Sequence, residues 1–164
     1  MKKVKSKNLV AFNSRPPDPQ PVLDDEGIVI PPNLPRMIII VDELADIMTP
    51  SAKDGVEQSI CRIAQKGRAA GIHLVIATNS LRRSIVTDLI KANIPTKIVF
   101  RVGSENESRL ILDCNGAEKL LGDGDMLFIP PGSISLERIQ GAHVSEDELR
   151  RVVDAVSRNT GTSG

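Results

Sequence analysis

Apolar and polar positions alternate along the chain in blocks that predict strands and helices in turn. The run from Met37 to Val41 has no polar member, and the run from Ile72 to Thr78 is nearly as apolar. Unbroken apolar runs of this length are typical of strands in a parallel sheet that is covered on both faces. Between them, Val56 to Gly71 has the apolar spacing of a helix, with Gly71 as a left-handed stop. The same reasoning predicts helices at Ser84–Asn93, Glu105–Asp113 and Ala117–Leu121, and strands at Lys97–Val102, Met126–Ile129 and Leu136–Gln140.

The last helix is predicted to begin with a capping box, because Glu148 follows Ser145 by three residues. The alternation of strands and helices before it is that of parallel α/β units. The predicted fold class is therefore α/β, a three-layer sandwich with a mostly parallel sheet. The inner stripe of the last helix is predicted to be Leu149, Val152, Val153 and Val156.

A proline-rich segment from Arg15 to Pro35 precedes this pattern. Proline forbids regular helix and removes donors from a strand ladder, so we predict that residues 1–35 form a basic and proline-rich N-terminal arm. Leu9 and Phe12 are expected to dock on an apolar edge of the core. Residues 36–158 are then the main domain, and the small, polar residues 159–164 are predicted to form a disordered tail.

The composition excludes several classes of function. Lysine plus arginine and aspartate plus glutamate both number 21, so no global positive field attracts nucleic acid. Tryptophan and tyrosine are absent, which argues against single-strand binding by stacking. No run approaches the ~20 apolar residues of a membrane span, so we expect a soluble, cytoplasmic chain without direct membrane contact. Cys61 and Cys114 lack metal-ligand spacing and are predicted to be buried, reduced thiols.

Two adjacent carboxylates, Asp42 and Glu43, follow the first apolar strand. Ligands of open α/β sheets bind at the carboxyl ends of the strands. Nucleotide hydrolysis requires this arrangement, in which one carboxylate holds the water shell of Mg²⁺ and the other polarises an attacking water. The alternative is a plain helix start, where Asp and Glu are also common.

The stretch from Pro35 to Gly141 resembles the C-terminal, Walker B half of the RecA-like motor domain of FtsK/SpoIIIE DNA translocases. The resemblance runs in order through IIIVDELAD, IAQKGRAAGIHLVIAT, LIKANIPTKI, SRLILD, GAEKLLGDGDML and RIQGAHV. It implies a partial RecA-like P-loop NTPase fold that uses ATP and Mg²⁺. It also implies a homo-oligomeric ring, expected to be a hexamer, that pumps double-stranded DNA in chromosome segregation, cell division or DNA transfer.

The resemblance assigns roles to four residues of a hydrolytic site. Asp42 corresponds to the Walker B aspartate that holds Mg²⁺ through water, and Glu43 to the carboxylate that orients the attacking water. Arg68 matches the arginine finger given to a neighbouring subunit; the alternative is an arginine that pairs with the helix dipole. Asn79 stands in the place of the sensor glutamine, one methylene shorter; the alternative is a strand-end asparagine that bonds its own turn.

DNA contact is where the sequence departs from the family pattern. Ser80 and Glu105 stand where the family has basic residues, and Arg109 is the cation that matches. Arg82 and Arg83 lie in the same loop as Ser80 and are candidates to replace the missing charge, because phosphate contacts tolerate such shifts. The alternative is that they form an ordinary solvated pair.

The sequence contains no Gly-Lys dipeptide and therefore no P-loop. We expect no hydrolysis by this chain alone, with ATP and Mg²⁺ bound only together with a Walker A segment or a partner. Either the chain is a fragment of a longer motor, whose membrane anchoring the sequence does not reveal, or it is a degenerate relative that acts as a non-catalytic interaction module. Loss of the Walker A segment is also expected to leave one side of the sheet uncovered and to favour self-association.

Overall fold

The computed structural model describes residues 4–17 and 20–160, with the side chains of all but residues 159 and 160. Contacts along the chain divide it into two units, Met1–Pro95 and Thr96–Gly164. Each unit has its own sheet and its own apolar cluster.

The first unit is built on two parallel strands, β1 (Met37–Val41) and β2 (Ile72–Ile76). The chain crosses from one to the other through α2 (Leu44–Ile47) and α3 (Lys53–Ala70). Gly71 ends α3 in the left-handed conformation, φ 72°, as the sequence predicts. A further helix, α4 (Asp88–Asn93), follows β2 and begins four residues later than predicted.

Apolar side chains bury one face of the parallel strands. The core cluster comprises Leu44, Met48, Ile60 and Ile90, with Leu74 and Ile76 packed against it. The opposite face is open, since Ile38, Ile40 and Val75 have 65%, 69% and 51% of their surface exposed. The prediction of strands covered on both faces is therefore wrong for this chain, and the prediction that one side of the sheet is uncovered is confirmed.

The short helix near the N-terminus belongs to the first unit. Helix α1 (Leu9–Asn13) is capped by Asn8, whose Oδ1 accepts a hydrogen bond from the Ala11 amide at 2.8 Å. Leu9 and Phe12 are buried, which confirms their predicted docking. The Arg15 guanidinium donates hydrogen bonds to the carbonyl oxygens of Pro31 and Pro32, so the proline-rich segment is tied to the end of α1.

The second unit contains an antiparallel sheet in the order β3 (Lys97–Phe100), β4 (Asp125–Ile129), β5 (Glu137–Gln140). Helix α5 (Glu105–Leu112) and a 3₁₀ turn (Ala117–Lys119) lie between β3 and β4. The α/β class is confirmed, but β3 does not extend the parallel sheet. The connection from β4 to β5 is too short for a parallel crossover, so β5 pairs antiparallel with β4. The other edge of β4 pairs antiparallel with β3. The core of this unit is Val99, Leu112, Ala117, Leu120 and Leu127.

Helix α6 (Glu146–Thr160) opens with the predicted capping box. The Glu148 amide donates to Ser145 Oγ at 3.3 Å, and the Ser145 amide donates to Glu148 Oε2 at 2.9 Å. The prediction of an inner stripe is wrong, because its four apolar residues are 54–58% exposed. The first two residues of the predicted tail are helical, and residues 161–164 lie outside the described part.

Within residues 4–17 and 20–160, no helix is long and apolar enough to cross a membrane. The two cysteines differ: Cys61 is a buried thiol on α3, as predicted, whereas Cys114 is exposed. The prediction that Cys114 is buried is wrong, because the left-handed Asp113 ends α5 and turns the chain outward just before it.

Candidate carboxylate site at the end of the parallel strands

The candidate site lies where β1 and β2 end side by side. Backbone bonds join the two strand ends: the Ala77 amide donates to the Val41 carbonyl at 2.8 Å, and the Leu44 amide donates to the Ala77 carbonyl at 2.9 Å. Because the strands are parallel, the residues that follow both of them meet at one edge of the sheet. Asp42 and Glu43 are therefore brought beside the loop that begins at Thr78.

The Glu43 carboxylate is held by three donors. The Ala45 amide donates to Oε1 at 2.9 Å, and the Asn79 amide donates to Oε2 at 2.9 Å. The Thr78 hydroxyl donates a third hydrogen bond to Oε1. Thr78 Oγ1 in turn accepts a bond from the Ser80 amide at 3.0 Å. We call these five residues, Glu43, Ala45, Thr78, Asn79 and Ser80, the Glu43 network.

The network lowers the pKa of Glu43 below its ordinary value. The Thr78 hydroxyl is the largest cause, followed by the amides of Asn79 and Ala45, and partial desolvation opposes them. Donors stabilise the charged form, so Glu43 is an ionised acceptor at neutral pH. An ionised carboxylate at this edge is able to accept a further bond from a water molecule.

Asp42 differs from its neighbour. It is exposed, and its carboxylate accepts no hydrogen bond from the described residues. The helix-start alternative holds for Glu43, which is the N-cap residue of α2. Capping and water activation are compatible, because Oε2 carries a single donor while Oε1 carries two.

Arg68 lies away from these carboxylates. It is on the last turn of α3, three residues before Gly71, and the Gly71 carbonyl accepts from the Met37 amide at the start of β1. The five-residue strand β1 separates that end from Glu43 by about 15 Å at the rise of a strand. The structure therefore does not bring Arg68 to Glu43 within the chain.

The loop after β2 carries the other candidates. The Asn79 carboxamide is exposed and makes no hydrogen bond to the described residues; its backbone amide is what meets Glu43. The Arg82 and Arg83 side chains are exposed. The backbone around Arg82 is tightly turned, since its amide donates to Ser80 O and its carbonyl accepts from the Ile85 and Val86 amides.

Arg109 belongs to the second unit, where its guanidinium already has partners. Nε donates to Asn115 Oδ1 at 2.6 Å, and Nη2 lies 3.4 Å from Glu105 Oε2. Asn115 also donates to the same Glu105 oxygen at 3.0 Å. Glu105 thus partly offsets the charge of Arg109, the predicted DNA-contact residue of this helix.

The sequence did not single out Thr78 as a functional residue. Its bond to Glu43 joins residues 35 positions apart, which no local pattern reports. The available signal was a hydroxyl residue at the carboxyl end of a buried strand, next to the candidate sensor Asn79.

Comparison with known proteins gives a consistent family assignment. The FtsK/SpoIIIE family profile matches residues 4–84. The DNA translocase SpoIIIE of Bacillus subtilis is 55% identical over 125 residues, and the DNA translocase FtsK of Bacillus cereus is 56% identical over 125 residues. Each alignment covers 76% of this chain and 16% of the relative, so the chain spans about a sixth of their length.

A solved structure shares the fold. The pCW3 conjugation coupling protein TcpA, in its monomer form with ATPγS, superposes with a TM-score of 0.67 at 22% identity. The match covers 94% of this chain and 43% of TcpA. This similarity supports the partial RecA-like α/β fold.

Proposed function

Since the chain belongs to the FtsK/SpoIIIE family, we propose that it supplies the Walker B half of an ATP-driven double-stranded DNA translocase. The observation that carries the proposal is the pair Asp42 and Glu43 at the shared end of β1 and β2, beside the loop that begins at Thr78. The relatives named DNA translocases support the choice of substrate.

The residues of this chain fit the metal and the attacking water of a magnesium nucleotide, but the sequence has no loop to bind the phosphates. Mg²⁺ prefers carboxylate oxygens and keeps several waters, and the exposed Asp42 carboxylate suits that role. When bound, Mg²⁺ offsets the charge that develops on the transferred phosphoryl group. The chain's own contribution is an ionised Glu43, which accepts a hydrogen bond from the attacking water and so orients that water. With no Gly-Lys dipeptide, the grip on the phosphates is proposed to require a Walker A segment outside this sequence.

The proposed ring assigns Arg68 to the site of the neighbouring subunit. At the opposite end of β1 from Glu43, Arg68 is exposed and has no partner among the described residues. A guanidinium supplied across an interface stabilises charge on the γ-phosphate. We propose a hexameric ring in the cytoplasm that acts in chromosome segregation, cell division or DNA transfer.

The first test measures ATP hydrolysis by the longest natural polypeptide that contains this sequence, with and without duplex DNA. Glu43→Gln is expected to lower kcat at least ~100-fold while ATP still binds, because the amide keeps the shape and loses the charge. The control Glu57→Gln changes a glutamate on α3 that also accepts from a threonine, Thr87, and should leave kcat within twofold. Turnover that survives Glu43→Gln would overturn the role proposed for Glu43. Wild-type protein without DNA-stimulated turnover would support the non-catalytic module instead.

A second test separates action in trans from action within one subunit. Arg68→Ala and Glu43→Gln are each expected to be inactive alone. If Arg68 reaches the neighbour's site, an equimolar mixture recovers activity, since about a quarter of the interfaces of a mixed ring combine an intact Glu43 with an intact Arg68. No recovery on mixing would overturn the assignment of Arg68 to the neighbour's site.

DNA contact is proposed for the loop of Arg82 and Arg83, with Arg109 as a third candidate. Each phosphate contact contributes close to one unit to the slope of log affinity against log salt. Arg82→Ala and Arg83→Ala are each expected to reduce that slope by about one. Arg109→Ala should reduce it less, because Glu105 and Asn115 already engage the guanidinium. Unchanged slopes would assign DNA contact elsewhere.

A further inference from the structure

We infer that Thr78 is a positioning residue for Glu43 and that it makes the orientation of this carboxylate depend on the loop at 79–83. The inference rests on the proposed function for its catalytic meaning. Its geometry stands on the hydrogen bonds of the Glu43 network alone.

The direction of the Thr78 hydroxyl follows from its two partners. Oγ1 accepts the Ser80 amide hydrogen at 3.0 Å, so its own hydrogen is left to donate to Glu43 Oε1. A hydroxyl has one hydrogen to give, and Glu43 is an acceptor when ionised. The Thr78 hydroxyl therefore makes two different hydrogen bonds. It donates a charge-assisted bond to Glu43 and accepts a neutral one from the Ser80 amide.

This bond determines which carboxylate oxygen remains available. Thr78 and the Ala45 amide both donate to Oε1, while Oε2 receives, from the part of the chain that the structure describes, the Asn79 amide alone. A water is thus directed to Oε2, on the side of the Asn79 loop. Without the Thr78 donor, the carboxylate is freer to rotate about its last side-chain bond, and catalytic groups require orientation within about 10–20°.

The same bond connects Glu43 to the candidate DNA loop. The Arg82 amide donates to the Ser80 carbonyl at 3.0 Å, and the Ser80 amide donates to Thr78. Four residues therefore form a continuous chain of hydrogen bonds from Arg82 to Glu43. A phosphate that displaces Arg82 acts on Ser80 first and on the carboxylate through Thr78.

Thr87 provides a matched control within the same unit. Its hydroxyl likewise accepts a hydrogen bond from a backbone amide, that of Ile90, and donates one to a glutamate, Glu57. Thr87→Val removes the same chemistry as Thr78→Val, and the hydrogen bonds of Thr87 to described residues go to Glu57 and Ile90, outside the Glu43 network.

The experiment is amide hydrogen exchange followed by NMR on the nucleotide-free 164-residue chain. In Thr78→Val, the Ala45 amide, which donates to Glu43 and not to Thr78, is expected to exchange at least ~10-fold faster, because its acceptor Glu43 has lost an anchor. Thr78→Ser should restore the rate to within about twofold of wild type, and Thr87→Val should leave it unchanged. Unchanged Ala45 exchange in Thr78→Val, with the α3 amides still protected, overturns the inference.

A reciprocal variant keeps the inference testable if Thr78→Val does not fold. Glu43→Ala is expected to accelerate exchange of the Ser80 amide, which meets Glu43 only through Thr78, whereas Glu57→Ala should not. Equal Ser80 rates in the two variants overturn the inference. In the ATP-hydrolysing polypeptide, Thr78→Val should lower kcat about tenfold with KM unchanged. If the variants alter amide exchange but the wild-type polypeptide hydrolyses no ATP, the positioning role of Thr78 stands and the proposed motor function is overturned.

Discussion

Arg138 on β5 holds Asp125 at the start of β4 through two parallel hydrogen bonds, Nε to Oδ1 at 2.9 Å and Nη2 to Oδ2 at 2.7 Å. The Leu121 amide adds a third donor to Oδ2 at 2.7 Å. The Asp125 side chain is 5% exposed, so its charge depends on these partners. Removing one partner of such a pair leaves a charge without compensation.

This pair predicts acid sensitivity of the second unit. The Arg138 side chain is the main cause that lowers the pKa of Asp125 to about 2 from 3.8, with the Leu121 amide next. A depressed pKa contributes stability above the unfolded value that is lost as pH falls from about 4 toward 2. Because tryptophan and tyrosine are absent, the midpoint of thermal unfolding is followed by circular dichroism between pH 6 and 2.

Arg138→Ala should lower the unfolding temperature at pH 6 and flatten its fall below pH 4. The control Arg150→Ala removes an arginine whose partners, Glu146 and Asp147, are 88% and 90% exposed, and it should change little. A pH profile that is the same in Arg138→Ala and wild type would contradict the assignment.

Gly71 gives a prediction about the first unit. Its φ is 72°, and a Cβ there would clash with Leu9 Cδ2. Gly71→Ala should therefore lower the free energy of unfolding in urea by about 1–3 kcal/mol, from backbone strain and displacement of α1. Gly55→Ala lies inside α3, where the added Cβ meets nothing within 4 Å beyond its own helix backbone and chain neighbours, and it should instead be neutral or stabilise by up to about 1 kcal/mol. Equal effects would contradict both the positive φ of Gly71 and its packing against Leu9.

The two cysteines are predicted to differ in reactivity. Burial is the main cause that raises the pKa of the Cys61 thiol, and the charge of Glu57 adds to it. Cys114 is exposed. Since the thiolate is the reactive form, about one thiol per chain should react with a disulfide reagent in the folded state, and the second only on unfolding. Cys114→Ser should abolish the fast phase; a fast phase that persists would mean that Cys61 is accessible.

Local elements and the carboxylate pair were predictable, because their causes are local. The positive φ at Gly71, the capping box at Ser145 and the strand before Asp42 each depend on a few adjacent residues. The placement of Glu43 at the shared strand end followed from the parallel α/β pattern.

Strand partners and exposed faces were not predictable in the same way. The three residues after Lys97 are as apolar as β1, yet Ile98 and Phe100 are more than half exposed and Val99 is buried. An apolar run does not specify which strand pairs with it, and the antiparallel partner β4 comes 25 residues later. The Thr78 bond to Glu43 likewise depends on a register between strands, which composition does not encode.

The open face of β1 and β2 gives the last prediction. Ile38, Ile40 and Val75 form an exposed apolar surface on the side away from the core helices, and such patches promote association. The isolated chain should therefore show concentration-dependent self-association in sedimentation velocity. Ile38→Thr with Ile40→Thr should raise the midpoint concentration more than ~10-fold, because burying each isoleucine contributes about 1.5–3 kcal/mol. Threonine keeps the β-branch, so the strand is retained.

The control Ile134→Thr changes a fully exposed isoleucine in a loop and should leave the midpoint unchanged. A monodisperse monomer at all concentrations would show that this face is not adhesive in the free chain, and the same result in both variants would place the adhesive surface elsewhere.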